Sequence, residues 1–136
     1  MSPPAERTEY SVSVDRARRM QAEGLAELAL PEQWTPEHLV LAALARCSLA
    51  SLAFHVRRAE LDFVASATAS GAVARREDGG WGFVDLECAL DVELEPALPQ
   101  EELSALVARA ERGCFVGASL SPRPQYRWQL NGQRLE

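Results

Sequence analysis

The chain has 136 residues, 47% of them hydrophobic, which is the usual size of one domain and supplies a core without metal or disulfide staples. The net charge is −6, and this acidic balance argues against nucleic acid, which is bound through clustered cations. Arg46 interrupts the longest apolar run, residues 39–45, and the first ten residues, MSPPAERTEY, lack the apolar core of a signal peptide. We therefore expect a cytoplasmic protein with no membrane span.

The amino-terminal part predicts two short extended segments and then a long helix. Residues 8–14 alternate apolar and polar side chains, and residues 24–30 form a second segment, so a hairpin is expected. Thr35 can cap a helix that starts at Pro36 and runs to about residue 58. Its first half is apolar on all sides, which indicates burial within the chain or against a partner subunit.

The remainder predicts a hairpin, a second helix and a last strand. Strands at about 61–75 and 82–94 are joined through Asp78-Gly79-Gly80, and a final strand covers about 125–131. The second helix begins near Pro99, and Gly113 is its expected carboxy-terminal cap. The predicted core faces are Val84, Leu86, Cys88, Leu90 and Val92 on the strand, and Leu103, Leu106, Val107 and Ala110 on the helix. No repeat or linker divides the chain, so one domain, 1–136, is predicted.

Three cysteines are too few for a disulfide scaffold, and no CxxC or HxxxH spacing predicts a metal site. Any disulfide is then expected to be catalytic or redox-sensing. Cys88 lies in register with apolar strand residues and is expected to pack as a small hydrophobe. Cys47, in the middle of the long helix, and Cys114, after the second helix, are each consistent with packing when considered singly.

A reactive cysteine attacks as the thiolate, and a cysteine in mid-helix gains little from the helix dipole. An arginine held by a carboxylate is the natural activator, because its charge persists when it is desolvated. The chain offers a cluster of Arg16, Arg18 and Arg19, and it offers Glu37 at the head of the helix. Glu37 is equally explained as a favourable first-turn acid.

Two segments carry a family resemblance. TPEHLVLAALARC, residues 35–47, resembles the signature of the OsmC/Ohr family, in which a Pro-Glu helix start leads to a reactive cysteine. LVARAERGCFVGASL, residues 106–120, is similar to the family's second motif, although Phe115 stands where the commonest form has proline. We therefore expect the loop after Cys114 to differ in conformation from that of the commonest form. The resemblance covers nearly the whole chain.

The resemblance implies an α+β fold with antiparallel sheets around two central helices of an intertwined homodimer. Cys47 takes the place of the peroxidatic cysteine, Cys114 that of the resolving cysteine, and Glu37 that of the glutamate that orients the active-site arginine. That arginine lies within residues 16–19, and Arg18 is the predicted one. The implied activity is reduction of organic hydroperoxides without a bound cofactor, with recycling by an external dithiol such as a lipoyl group.

Helix geometry bears on where this site is assembled. Glu37 and Cys47 are ten residues apart, which on one straight helix is about 15 Å of rise. Either the helix breaks between them, or each site combines the cysteines of one chain with Glu37 and the arginine of its partner. The second alternative is preferred because the Leu/Ala run favours an unbroken helix.

Neither histidine is expected to act as a base for Cys47. His55 lies about 12 Å along the helix from Cys47, too far to serve as its base, and His38 is expected to be a surface or interface residue. A cysteine hydrolase is therefore not favoured. The rivals are a redox-sensing or small-molecule-binding dimer without efficient turnover, and a structural protein whose cysteines only pack.

Overall fold

A computed structural model describes residues 6–135, so the first five residues of the segment MSPPAERTEY lie outside the described residues. Helices and strands are both present, which confirms the α+β class. The strands are β1 Val12–Val14, β2 Arg19–Ala22, β3 Leu28–Ala29, β4 Asp62–Arg75, β5 Trp81–Glu95, β6 Gln125–Leu130 and β7 Gln133–Arg134. The helices are α1 Pro36–Arg58, α2 Gln100–Arg112 and α3 Phe115–Ser119. The chain divides into two compact units, one ending at Thr35 and one beginning at Pro36.

The first unit is a three-stranded antiparallel sheet in the order β1-β2-β3. The sequence predicted a two-stranded hairpin, and this prediction is wrong. Strand β2 was missed because its sequence, RMQA, lacks the alternation of apolar and polar residues that marks a strand. A tight turn joins β1 to β2: the Asp15 carboxylate accepts from the backbone N–H groups of Ala17, at 2.8 Å, and Arg19, at 2.9 Å. Arg18 lies in this turn with a φ of 64°, a left-handed conformation that non-glycine residues rarely adopt.

In the second unit, α1 has the predicted bounds and contacts β4, α2 and α3. Its buried stripe is narrow and consists of Leu44, Ser48, Ser51, Leu52 and Val56. The rest of its apolar surface is only partly covered within the chain, and Phe54 is 55% exposed. The unit that begins at Pro36 therefore does not bury α1 by itself.

The length and composition of α1 bear on the expectation that the chain has no membrane span. By length and composition, α1 could cross a membrane, since its 23 residues include an 18-residue window with a mean hydropathy of 1.8. The charged Arg46 does not lower the mean hydropathy enough to exclude α1 as a candidate span. The core helix of a soluble protein meets the same criterion, so the criterion alone does not place α1 in a bilayer.

The main sheet has the order β4-β5-β6-β7. Strands β4 and β5 pair antiparallel along almost their whole length, whereas β5 and β6 pair parallel, so this sheet is mixed rather than antiparallel throughout. The predicted inward face of β5 is confirmed at Leu86, Cys88, Leu90 and Val92, which are buried. Val84 is 42% exposed, because it is the extra residue at the register shift between Ala72 and Val73 and has no partner on β4.

The predicted inward stripe of α2 is also confirmed, with Leu106, Val107 and Ala110 buried and Leu103 packed against the core. Gly113 caps α2 as expected, but its φ of −83° is open to any residue. A lack of space for a side chain explains why this residue is a glycine, since a Cβ atom there would lie 2.6 Å from Ser51 Oγ. That hydroxyl donates to the Ala110 carbonyl oxygen at 2.7 Å and joins α1 to the end of α2.

Substitution Gly113→Ala should test this close approach. The added methyl group cannot coexist with Ser51 Oγ, so the hydrogen bond to Ala110 breaks or the end of α2 shifts. We expect the free energy of unfolding to fall by about 1–3 kcal/mol in urea titrations. The double variant Gly113→Ala/Ser51→Ala should lose less than the sum of the two single variants. Additive losses would contradict a clash between these two side chains.

Candidate functional site

The second unit brings together the two cysteines that the sequence singles out. Cys47 is half-buried on α1, and Cys114 is 0% exposed at the residue that precedes α3. Both are free thiols, and their side chains are close enough to interact. The pair therefore consists of one thiol that solvent can reach and one that it cannot.

Cys114 is held by several hydrogen bonds. Its sulfur accepts from the Gly117 backbone N–H at 3.4 Å and lies 3.4 Å from Ser48 Oγ, and the Tyr126 hydroxyl lies near it beside Gly117. Burial by itself would raise the pKa of Cys114, but hydrogen bonds from Ser48, Gly117 and Tyr126, together with Cys47, outweigh it and lower the pKa. Hydrogen bonds of this kind favour the charged form of the group that accepts them.

Cys47 has the opposite balance. Burial raises the pKa of its thiol, and the neighbouring Cys114 raises it further. Within the unit that begins at Pro36, the groups that lower the Cys47 pKa are the backbone N–H groups of Val116 and Phe115. Cys114 is therefore the more acidic thiol of the pair, so this unit does not itself supply the low pKa that the sequence predicted for Cys47.

Cys88 packs on the inner face of β5, as expected, and it also contacts the site. Its thiol donates to Ser48 Oγ at 3.6 Å, so Ser48 lies between Cys88 and Cys114. Sequence reasoning missed Ser48 and Tyr126. The available signals were a polar residue on the buried stripe of an apolar helix, for Ser48, and alternation with the buried Trp128 and Leu130 on β6, for Tyr126.

The two charged site residues lie elsewhere. Glu37 is exposed in the first turn of α1, ten residues before Cys47 on a helix that runs without interruption. The alternative of a helix break between them is therefore wrong, and the two residues do not share a compact site within one chain. Arg18 is exposed in the β1–β2 turn, with a guanidinium nitrogen 3.8 Å from a Glu32 carboxylate oxygen. Its neighbour Arg19 pairs with Asp15 at 2.8 Å.

An apolar cleft of about 370 Å³ opens beside Cys47. Two aromatic rings flank it, Phe54 from α1 and the 77% exposed Phe115 from α3. His55 lines the same cleft and meets the Phe54 ring edge to face, with 5.0 Å between ring centroids. The complete lining is Cys47, Ala50, Ser51, Phe54, His55, Gly113 and Phe115. Cys47 is thus the only cysteine among the described residues that line this cleft.

Residues 29–129 match the family model described as OsmC-like protein. A search of curated proteins finds no significant match.

Solved structures similar to the chain include an OsmC-like protein of unknown function from Vibrio cholerae, at 15% identity and a TM-score of 0.76, covering 90% of this chain and 99% of that one. A putative organic hydroperoxide resistance protein from the same organism, with captopril in one of its active sites, is 23% identical, with a TM-score of 0.65 and 96% of both chains covered. An organic hydroperoxide resistance protein from Legionella pneumophila is 21% identical, with a TM-score of 0.57, covering 94% of this chain and 98% of that one. The predicted OsmC-like fold is confirmed.

Substitution Phe115→Pro should test the backbone donor to Cys47. Proline lacks the N–H group but suits the first helical position, and Cys114 before it is already extended, with a φ of −81° and a ψ of 98°. We expect the pKa of Cys47 to rise, because a donor that favours its thiolate is lost; the pKa is measured from the pH dependence of alkylation at the Cys47 peptide by mass spectrometry. Phe115→Ala, the matched control, keeps the N–H and should not raise this pKa. Equal pKa values in the two variants would exclude the donor role.

Proposed function

Because the chain belongs to the OsmC-like protein family, we propose that it is a thiol-dependent peroxidase that reduces organic hydroperoxides. The observation that carries the proposal is the contact between Cys47, half-buried beside an apolar cleft, and the fully buried Cys114. A nucleophile that solvent reaches and a resolving thiol kept from solvent suit a peroxide-driven disulfide cycle. Two of the three solved structures described above bear the name organic hydroperoxide resistance protein, which supports this proposal.

The proposed cycle has three steps. The Cys47 thiolate attacks one peroxide oxygen, so that an S–O bond forms, the O–O bond breaks and the alkoxide leaves as the alcohol after taking a proton. Cys114 thiolate then attacks the Cys47 sulfenic acid, forming the disulfide and releasing hydroxide, which becomes water on protonation. An external dithiol, such as a lipoyl group, restores both thiols by exchange. The protein needs no bound cofactor for any of these steps.

The cleft favours an apolar substrate. Phe54 and Phe115 offer aromatic surface next to the Cys47 sulfur, and burial of alkyl groups against such surface contributes about 25 cal/mol per Å². Hydrogen peroxide gains nothing from these contacts. We expect alkyl or fatty-acid hydroperoxides to be preferred.

The active form proposed is a cytoplasmic homodimer with a composite site. The apolar surface of α1 that one chain leaves uncovered provides an interface, and the distance from Glu37 to Cys47 along α1 requires a second chain if Glu37 is to act at the thiol. Arg18 of the partner, oriented by the partner's Glu37, would offset the burial that raises the Cys47 pKa. No nucleic acid or membrane takes part.

A second candidate is a redox-sensing or small-molecule-binding dimer without efficient turnover. The raised pKa of Cys47 favours it, because a thiol that is mostly protonated at neutral pH reacts slowly with peroxide. One oxidation event per chain would suffice for a sensor. Turnover separates the two candidates.

Cys47→Ser and Cys114→Ser should each abolish turnover of cumene hydroperoxide with a lipoyl dithiol, lowering it about a thousandfold or more, because each lacks one sulfur of the disulfide. Cys114→Ser should still form one sulfenic acid per chain, detected by a dimedone adduct on the Cys47 peptide. Wild-type protein that consumes one equivalent of peroxide and then stops would favour the sensor. No thiol consumption would favour cysteines that only pack.

Subunit mixing should test the composite site. In a mixed dimer of Cys47→Ser and Glu37→Gln chains, one site would combine an intact Cys47 with an intact partner Glu37. Random reassociation of equal amounts should therefore restore about a quarter of wild-type activity, since half of the dimers are mixed and one of their two sites is complete. Mixing Cys47→Ser with Cys114→Ser is the control, which should restore none because both sulfurs belong to one chain. Absence of restoration in the first mixture would contradict a composite site.

A further inference from the structure

We propose that Tyr126 and Ser48 act as positioning residues that make Cys114 the leaving thiolate during disulfide reduction, so that the external dithiol attacks Cys47. The inference rests on the proposed peroxidase cycle and specifies its reductive half. It follows from the hydrogen bonds around Cys114 and from the different exposure of the two sulfurs.

Three donors surround the Cys114 sulfur. They are the Ser48 hydroxyl at 3.4 Å, the Gly117 backbone N–H at 3.4 Å and the Tyr126 hydroxyl. A Cβ atom on Gly117 would lie 2.4 Å from the Tyr126 hydroxyl and 3.3 Å from the Cys114 sulfur. The missing side chain at position 117 is therefore what admits the hydroxyl to the sulfur. We call these three donors the Cys114 cradle.

The cradle is fixed in advance of the reaction. The Cys88 thiol donates to Ser48 Oγ at 3.6 Å, which leaves the Ser48 O–H free to donate to Cys114. The Tyr126 ring stacks on Trp128, with centroids 6.5 Å apart, and Trp128 Nε1 donates to a Glu111 carboxylate oxygen at 2.8 Å. Burial and the hydrogen bond to Cys114 raise the pKa of Tyr126, so its hydroxyl stays protonated and remains a donor.

Access and leaving ability both indicate that the reductant attacks Cys47 and that Cys114 leaves. Cys114 is 0% exposed, whereas Cys47 lines the apolar cleft, so a reductant meets Cys47 first. Its thiolate forms an S–S bond to Cys47, the Cys47–Cys114 bond breaks, and the electron pair remains on Cys114. A leaving thiol leaves faster as its pKa falls, and the cradle favours the charged form of Cys114. The second thiolate of the dithiol then attacks the mixed disulfide and releases Cys47.

The attacked sulfur can be identified without peroxide. The Cys47–Cys114 disulfide is formed in wild-type protein with diamide, which takes up the two electrons and two protons of the thiols. It is then treated with the monothiol glutathione, quenched with acid and mapped by mass spectrometry. We expect glutathione on Cys47 and a free thiol at Cys114. Glutathione on Cys114, or failure of diamide to join these two cysteines, would overturn the proposal.

The cradle is tested by the rate of the same reduction. Tyr126→Phe removes the hydroxyl, and Gly117→Ala displaces it, so each should slow reduction of the preformed disulfide about threefold to tenfold. Single-turnover oxidation of reduced Cys47 by hydroperoxide is measured in parallel, because a general structural defect would slow both half-reactions, whereas loss of the hydroxyl should slow reduction more than oxidation. Tyr10→Phe, at the only other tyrosine, is the matched control. Wild-type reduction rates in Tyr126→Phe would overturn the role of the hydroxyl.

These measurements separate the inference from the proposed function. A protein that lacks hydroperoxide turnover but follows the expected reduction pattern would disprove the peroxidase and retain the cradle. A protein that turns over hydroperoxide but reduces equally fast with and without the Tyr126 hydroxyl would retain the peroxidase and disprove the cradle.

Discussion

The structure of the larger unit depends on how little of α1 the unit itself covers. The helix is apolar on nearly all sides, yet only a narrow stripe that includes Leu44, Leu52 and Val56 is fully buried. Fixing that stripe against β4, α2 and α3 also fixes the rotation of the helix, which turns Cys47 toward α3 and leaves Phe54 exposed. The packing of this one stripe thus determines both the direction in which Cys47 points and the apolar surface of α1 that remains available to a partner.

Two serines interrupt this buried stripe, and their hydroxyl groups must find partners because unpaired polar atoms are costly in a core. Ser51 satisfies its hydroxyl on the Ala110 carbonyl and thereby holds the end of α2. Ser48 satisfies its own between Cys88 and Cys114. Among the described residues, every buried side-chain nitrogen or oxygen has a hydrogen-bond partner. The hydrogen bonds that these two hydroxyl groups require therefore fix the contact between α1 and α2 and one side of the thiol site.

Local signals explain which parts the sequence predicts. The Thr35-Pro36-Glu37 start and the long β4–β5 alternation are strong local patterns, and the structure matches them at α1 and at the inner face of β5. Strand β2 and the five-residue α3 were missed, since neither is long enough to show a period. The lowered pKa of Cys114 could not be predicted from the sequence. It depends on Ser48 and Tyr126, which are far from it in sequence and meet it only after the helix packs on the sheet.

The order of the two thiol acidities has a mechanistic consequence. In the unit that begins at Pro36, the hydrogen bonds favour the Cys114 thiolate, while burial disfavours the Cys47 thiolate. A partner subunit packed over the exposed face of α1 would desolvate Cys47 further and raise its pKa again unless it brought a positive charge. In the proposed dimer, the segment that covers α1 therefore has to carry the arginine. Assembly and activation of the nucleophile then become one event, because the surface that excludes water from the cleft is also the one that supplies the charge.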